Sequence, residues 1–298
     1  MIRTDYSVFK YLTVAEVDKL WGLYVTGCGT ADLPPNTYYP PTKHPDTYMF
    51  DWKHGRILPE FQILYITRGR GVFESKPCGK KRIGEGNVML LFPGVWHRYM
   101  PDRDTGWKEH WVSFNGQQPE RFMNFGMFSP EKAVLDIGLN EEIINLYQQI
   151  MERIESEKMG YKGIIAALTY QIMALIHSVE KSKKFTGKET ETLVDRAKIF
   201  MTDRIDRKIN FEELALELGV GYSWFRRMFR HYTSLAPAQY FLQLKLNKAK
   251  DLLVSTSLTV KEIALMTGFE SQFYFSKFIK RRMGMSPQQL REYSRGNN

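Results

Sequence analysis

Only two cysteines, Cys28 and Cys78, occur in the 298 residues. They lack CxxC spacing, which excludes the usual zinc and redox motifs and leaves two unpaired structural thiols. The histidines at positions 44, 54, 97, 110, 177 and 231 form no HxH or HExxH cluster, so no metal site is read and no cofactor is expected. No apolar run approaches the ~18 residues that span a bilayer. The start, MIRTDYSVFKYLTVAEVDKL, has no basic segment followed by an apolar block, so the expectation is a cytoplasmic protein without membrane association. An acidic balance is lacking too: the net charge is +9. Residues 221–298 carry 13 Lys and Arg against 4 Asp and Glu, whereas residues 1–220 hold 29 of each, so the whole excess lies in the last quarter. That asymmetry fits a polyanion partner for one region, or a solvated basic surface.

Hydrophobic residues make up 43% and charged residues 25%, a balance that supports real cores, and the length suits one large or two medium domains. Residues 1–125 are rich in aromatics, Gly and Pro. FQILYITRGRGVFES (61–75) reads as two strands joined near Arg68–Gly71, and 87–100 and 107–116 read the same way. Many short strands with frequent turns predict an antiparallel sandwich or small barrel. After about residue 129 the period becomes helical. Residues 140–157 and 161–181 form two helices, the second apolar on more than one side and needing cover from its own domain or another subunit. The polar stretch 181–192 reads as a linker. The expected domains are therefore 1–180, the linker 181–192, and 193–298.

The last domain contains one pattern twice. FEELALELGVGYSWFRRMF (211–229) and VKEIALMTGFESQFYFSKFI (260–279) align Leu214 with Ile263, Ala215 with Ala264 and Gly219 with Gly268 at an offset of 49. Phe225 and Phe229 then match Phe275 and Ile279 at an offset of 50, so one residue is inserted in the second turn. Each copy reads as helix, Gly-containing turn, helix, the helix-turn-helix grammar, with units over 211–231 and 260–281. Asn210 to Glu213 and Thr259 to Glu262 look like capping boxes, Thr259 being the better match. In the second helix of the first copy, Phe225 and Phe229 form an apolar back. Ser223, Arg226, Arg227 and Arg230 form a basic front at i, i+3, i+4 and i+7. In the second copy Gln272, Phe273, Ser276, Lys277 and Lys280 make the front. Such helices suit the DNA major groove, where Arg pairs with guanine, Gln with adenine and an exposed Phe with a thymine methyl. A helical protein-interaction domain with a solvated basic face is the alternative.

These residues resemble the AraC/XylS family of transcription regulators over nearly the whole chain. IALMTGFESQFYFSKFIKRRMGMSP (263–287) is the most specific stretch, and it departs from the family pattern at Ile279, where Phe is usual. The resemblance implies two helix-turn-helix units joined by a long helix near Pro237–Val254. Base-facing residues would be Ser223, Arg226 and Arg227, then Gln272, Phe273, Ser276 and Lys277. Tyr222, Trp224, Arg230 and Lys280 would meet phosphates. The implied fold is α+β: an N-terminal antiparallel cupin-like β-barrel with trailing helices, then an all-α tandem helix-turn-helix domain. The implied partners are double-stranded DNA, a small-molecule effector such as a sugar, a second copy of the chain, and RNA polymerase. Leu168, Ile172 and Leu175 are the dimerisation candidates.

The likeness of the front domain rests on 84–101 and HWVSF (110–114). A metal cupin enzyme needs an upstream HxH and a Glu, and the strand at 61–67 has neither, so the chain is not expected to be an enzyme. Arg56, His97 and Tyr99 offer hydrogen bonds and Trp111 an apolar face, a set suited to a small polar ligand. By the same resemblance His97, Tyr99 and Trp111 fall on sugar-contacting positions, and Arg56 does so if a small insertion is allowed. Taken singly, Trp111 fits core packing and His97 a structural histidine equally well. Residues before the first strand would close over the ligand as an arm, and the Pro- and Tyr-rich 34–48 would line the pocket or cross the surface. A metal-free cupin lectin or a metal-dependent cupin enzyme with an appended basic module, and a regulator whose front domain only dimerises, remain as other readings.

Overall fold

Among the described residues, alternating apolar positions build nine strands in the N-terminal part of the chain, and seven helices of 3.6-residue period follow from Lys188 onward. The computed structural model describes residues 6–39, 51–183 and 188–296. Its contacts divide the chain into two compact units, Met1–Ser182 and Lys183–Asn298. The predicted N-terminal arm and most of the Pro- and Tyr-rich stretch lie outside the described residues.

The first unit holds β1 (Tyr6–Tyr11), α1 (Glu16–Lys19), β2 (Tyr24–Leu33), β3 (Phe61–Gly69), β4 (Gly71–Ser75), β5 (Gly79–Ile83), β6 (Asn87–Leu91), β7 (His97–Pro101), β8 (Trp107–Asn115), α2 (Gln117–Asn124), β9 (Val134–Asp136), α3 (Glu141–Ser156) and α4 (Tyr161–Ser182). One antiparallel sheet runs β1-β2-β8-β3-β6-β9 and the other β5-β4-β7. The predicted strand pair at 61–75 is present, and its turn hands the chain from one sheet to the other. Six consecutive residues of β3, Phe61–Ile66, are buried, because both faces of this strand are covered. Within the sheet β3 is the antiparallel neighbour of β8, with Gln62 paired with Ser113 and Leu64 with Trp111. Above the sheet lies α3, whose Tyr147 hydroxyl donates to the Ile63 carbonyl at 3.1 Å.

Helix α4 has a mean hydropathy of 1.3 and reaches the length and composition of a membrane span, which the sequence reading denied to any segment. Its Ile165, Ala166, Thr169, Ile172, Met173 and Ile176 are buried in the unit's own core, the behaviour of a core helix. Ile172, named as a dimerisation residue, is fully buried there and has no surface to give a partner. Leu168 and Leu175 are half-buried beside it. A helix apolar on more than one side does not reveal from sequence which side its own domain takes.

The second unit contains α5 (Lys188–Asp203), α6 (Phe211–Glu217), α7 (Tyr222–Thr233), α8 (Pro237–Ser255), α9 (Val260–Met266), α10 (Gln272–Met283) and α11 (Pro287–Gly296). Much of the stretch read as linker is helical, since α4 ends at Ser182 and α5 begins at Lys188. Lys-Glu-Thr-Glu is polar yet contains good helix formers, so polarity alone misread it. Two small cores form, one around Phe225, Met228 and Phe229, the other around Phe275 and Ile279. Helix α8 serves both, giving Phe241 to the first and Leu246, Ala249 and Leu253 to the second.

Candidate effector pocket and nucleic-acid interface

The paired helices are built alike. Asn210 caps α6 by accepting from the Glu212 and Glu213 amides, and Thr259 caps α9 in a complete box with Glu262. Ala215 and Ala264 are buried at the helix crossings. The turn glycines Gly219 and Gly268 adopt φ of +76° and +67°, a region that L side chains resist. The extra residue in the second turn supplies a cap: Ser271 accepts from the Tyr274 amide at 3.3 Å, whereas Gly221 gives α7 no side-chain cap.

These turns present the second helix of each pair with one face inward. On α7, Phe225 and Phe229 are fully buried, joined by Met228, which the sequence reading did not single out. Ser223, Arg226, Arg227 and Arg230 are all exposed on the opposite side. On α10, Phe275 and Ile279 are buried, while Gln272, Phe273, Lys277 and Lys280 are exposed and Ser276 is intermediate. Phe273 is 71% exposed, a large aromatic with no core role. Tyr222 and Trp224 are half-buried against the first core. Two basic residues of this region face inward instead. Arg291 donates to the carbonyls of Leu253, at 3.2 Å, and Leu258, near the end of α8, and Lys245 is buried.

In the first unit the structure joins three of the four predicted ligand residues. Arg56 lies on an isolated bridge to His97, and its Nε donates to His97 Nε2 at 3.2 Å. Its Nη2 donates to the Tyr99 hydroxyl and lies 3.5 Å from Gln62 Oε1. Gln62 in turn donates to Ser113 Oγ at 2.8 Å. His97 Nδ1 lies 2.9 Å from the Val95 carbonyl, so this nitrogen carries the hydrogen and Nε2 is the acceptor. The imidazole is therefore neutral. Burial, with the Arg56 charge assisting, lowers its pKa to about 3. Burial likewise pushes the Tyr99 hydroxyl up to about 12, so it stays protonated.

Trp111 lies on the same face of β8 as Trp107, four residues further along the strand. It is 4% exposed, and Tyr11 lies 5.8 Å from its ring. Gly29 makes room for it: a Cβ there would come 2.8 Å from the indole and 2.6 Å from Phe9. Trp107, Tyr39, Glu60, Gln62 and Ser113 were missed by the sequence reading. Tyr39 lies 6.1 Å from Tyr99 and 5.9 Å from Trp107. Trp107 is fully buried, and its Nε1 hydrogen has no partner among the described residues. Glu60, 3% exposed, accepts from Thr26 through one oxygen, and its Oε1 has no partner among the described residues. A buried donor and a buried acceptor left over in one domain suit a ligand or ordered water. Among the described residues no group of three His, Cys, Asp or Glu could hold a metal ion.

Residues 34–173 match the family described as AraC-like ligand binding domain, and residues 214–293 match a helix-turn-helix domain. The MmsAB operon regulatory protein of Pseudomonas aeruginosa is 23% identical over 236 residues, which cover 78% of this chain and 75% of that protein. The lactose operon transcription activator of Staphylococcus xylosus is 23% identical over 247 residues, covering 81% and 87%. The arabinose operon regulatory protein of Escherichia coli is 24% identical over 241 residues, covering 77% and 80%.

Proposed function

The chain belongs to the AraC family of DNA-binding transcription regulators, and from that premise we propose that it is a homodimeric activator of carbohydrate-use genes gated by a sugar. The observation that carries the effector reading is the polar set in the N-terminal unit: a half-buried Arg56 hydrogen-bonded to the buried His97 and Tyr99, with the buried Trp107 Nε1 left over among the described residues. A guanidinium, a neutral imidazole, a hydroxyl and an indole N–H match the alternating donors and acceptors of a polyol, and Trp111 adds an apolar face. Sugar operons named for two relatives agree with this choice.

On the DNA side, Ser223, Arg226 and Arg227 of α7 and Gln272, Phe273, Ser276 and Lys277 of α10 read bases, and Arg230 and Lys280 hold phosphates. The second copy packs along the exposed side of α4. There Ile164, Ala167, Gln171 and Ala174 repeat at coiled-coil spacing, flanked by Leu168 and Leu175. Bound at a promoter, the dimer recruits RNA polymerase. Effector binding shifts the balance between arrangements of the dimer only by its differential affinity for them.

The test is equilibrium binding of a sugar panel to full-length protein, read by tryptophan fluorescence, beside operator affinity with and without each sugar. A sugar that binds and changes operator affinity supports the proposal. A panel without binders, from a protein that still binds its operator, favours a front domain that only dimerises. Binding without any change in operator affinity or promoter output overturns the gating.

A further inference from the structure

Lys245, midway along α8, is 5% exposed. By sequence it is one of several lysines on a long helix; in the structure its ammonium is enclosed. It donates to the carbonyls of Thr267 at 2.8 Å, Arg207 at 3.0 Å and Gly268 at 3.4 Å. An ammonium has three hydrogens, so these acceptors use its whole capacity. Its Nζ also lies 4.8 Å from the ring centre of Phe241 and 5.7 Å from that of Phe269.

The acceptors come from two separate places. Arg207 lies between α5 and α6, at the entrance to the first helix pair. Thr267 and Gly268 form the turn between α9 and α10, where the end of α9 presents its negative dipole. The two rings belong one to each core. A second link joins the same segments, an ion pair between Lys208 and Glu270. Both its side chains are exposed, so alone it adds little. Without these links the two helix pairs would be held together chiefly by α8. With them, the entrance of the first pair is locked to the turn that aims α10.

We propose that Lys245 is a positioning residue that sets the separation and rotation between α7 and α10, and thereby the spacing of the two DNA half-sites read together. This rests on the reading of both helices as base-facing. One added base pair moves a half-site by about 3.4 Å and turns it by roughly 35°, a shift that a rigid pair of helices does not follow.

The experiment uses full-length protein and a duplex recovered by selection from a randomised library, with derivatives carrying one base pair more or fewer between half-sites. The wild type is expected to lose about tenfold or more on the altered spacings, comparable with a mismatched base pair. Lys245→Met keeps the apolar stem and removes the donors; its loss is expected to shrink below about threefold, and Lys245→Arg to restore part of it. Gly268→Ala provides a second route, since a Cβ there would lie 2.5 Å from Lys245 Nζ and 2.6 Å from the Asp206 backbone. Gly219→Ala is its control, with the same backbone strain and nothing within 4 Å. Gly268→Ala is expected to flatten the spacing preference and Gly219→Ala to leave it intact.

If the wild type selects no bipartite site, the premise of two base-reading helices fails. If it selects one and Lys245→Met and Gly268→Ala keep the full spacing penalty, the positioning role is overturned while the premise stands. Should Lys245→Met not fold, the glycine pair decides: equal spacing behaviour of the two alanine variants overturns the proposal.

Discussion

The two units place their polar chemistry in opposite ways. The N-terminal unit buries it: Glu60, Gln62, His97, Glu109, His110 and Ser113 are all under 9% exposed. The C-terminal unit puts it outside, with Arg226, Arg227, Arg230, Lys277 and Lys280 exposed on Phe-backed helices and Lys245 as its buried charge. A small polar ligand must be desolvated to be recognised, so its groups belong in an interior where a hydrogen bond is strong and an unmade one is costly. A polyanion is met at the surface, where charges stay hydrated until counterions are released. Interior recognition groups are therefore coupled to stability, and surface ones are nearly independent of it.

The largest expected effect tests that coupling directly. Arg56→Leu removes the donor to His97 Nε2 and one of the hydrogen bonds on the Tyr99 hydroxyl, and should cost about 1–3 kcal/mol of stability together with effector binding. Arg226→Ala removes an exposed side chain and should change stability by less than about 0.5 kcal/mol. Its selectivity among operator sequences should fall by about 1–3 kcal/mol. Denaturant titrations and operator affinities of both variants check the pair. Equal stability losses would break the contrast between the units.

What the sequence disclosed follows the same division. The helix-turn-helix copies were legible because each is local: caps, glycine and apolar back recur within 20 residues, and the repeat supplies its own control. The strand pattern of the barrel was legible too, by alternation. Beside Arg56, Gln62 and Ser113 meet only through the β3–β8 register, 51 residues apart in the chain, and nothing near either residue announces it. Trp107 was legible only as part of the strand at 107–116, and the lack of a partner for its N–H among the described residues is a property of its surroundings. Lys245 was not singled out, because its carbonyl acceptors lie 22 to 38 residues away in the chain. Arg56, His97 and Tyr99 were named for their hydrogen-bonding groups and by family resemblance, and the structure brings these three together.

Acid should separate the units next. Burial lowers the pKa of His97 to about 3 and, with Lys108 assisting, that of His110 to about 4. Unfolded, each takes up a proton near pH 6.5. Between that pH and the folded value the unfolded state binds more protons, so stability falls as pH falls. The contribution is fully present above about pH 6.5 and is lost at up to about 1.4 kcal/mol per pH unit for each group. From pH 6.5 to about 4.5 most carboxylates have not yet titrated, which isolates the histidines. Five of the six tryptophans lie in the N-terminal unit, so fluorescence-detected melting should shift down over this window. Binding of DNA by α7 and α10 survives it. A fluorescence transition that does not move between pH 6.5 and 4.5 would show that neither histidine is buried neutral. His110→Phe should remove part of the shift, its ring packing on Tyr147 5.7 Å away without a proton to gain.

The smallest effect lies within the outward-facing unit and sharpens the claim that its surface is nearly free of stability constraints. Helices α7 and α10 both end in a left-handed residue, Ser234 with φ of +61° and Gly284 with φ of +76°. Serine carries a Cβ into a conformation that glycine enters without penalty. Ser234 is exposed, so its replacement leaves no cavity. Ser234→Gly should therefore stabilise the unit by about 0.5–1 kcal/mol, less the entropy that glycine adds to the unfolded chain, and Gly284→Ser should destabilise it by a similar amount. Neither change touches the basic fronts, so operator affinity and its salt dependence should stay as in the wild type. A rise in melting temperature for Ser234→Gly with unchanged DNA binding would show that the reading surface and the helix ends are independent. Altered binding in either variant would show instead that the end of each recognition helix helps to aim it.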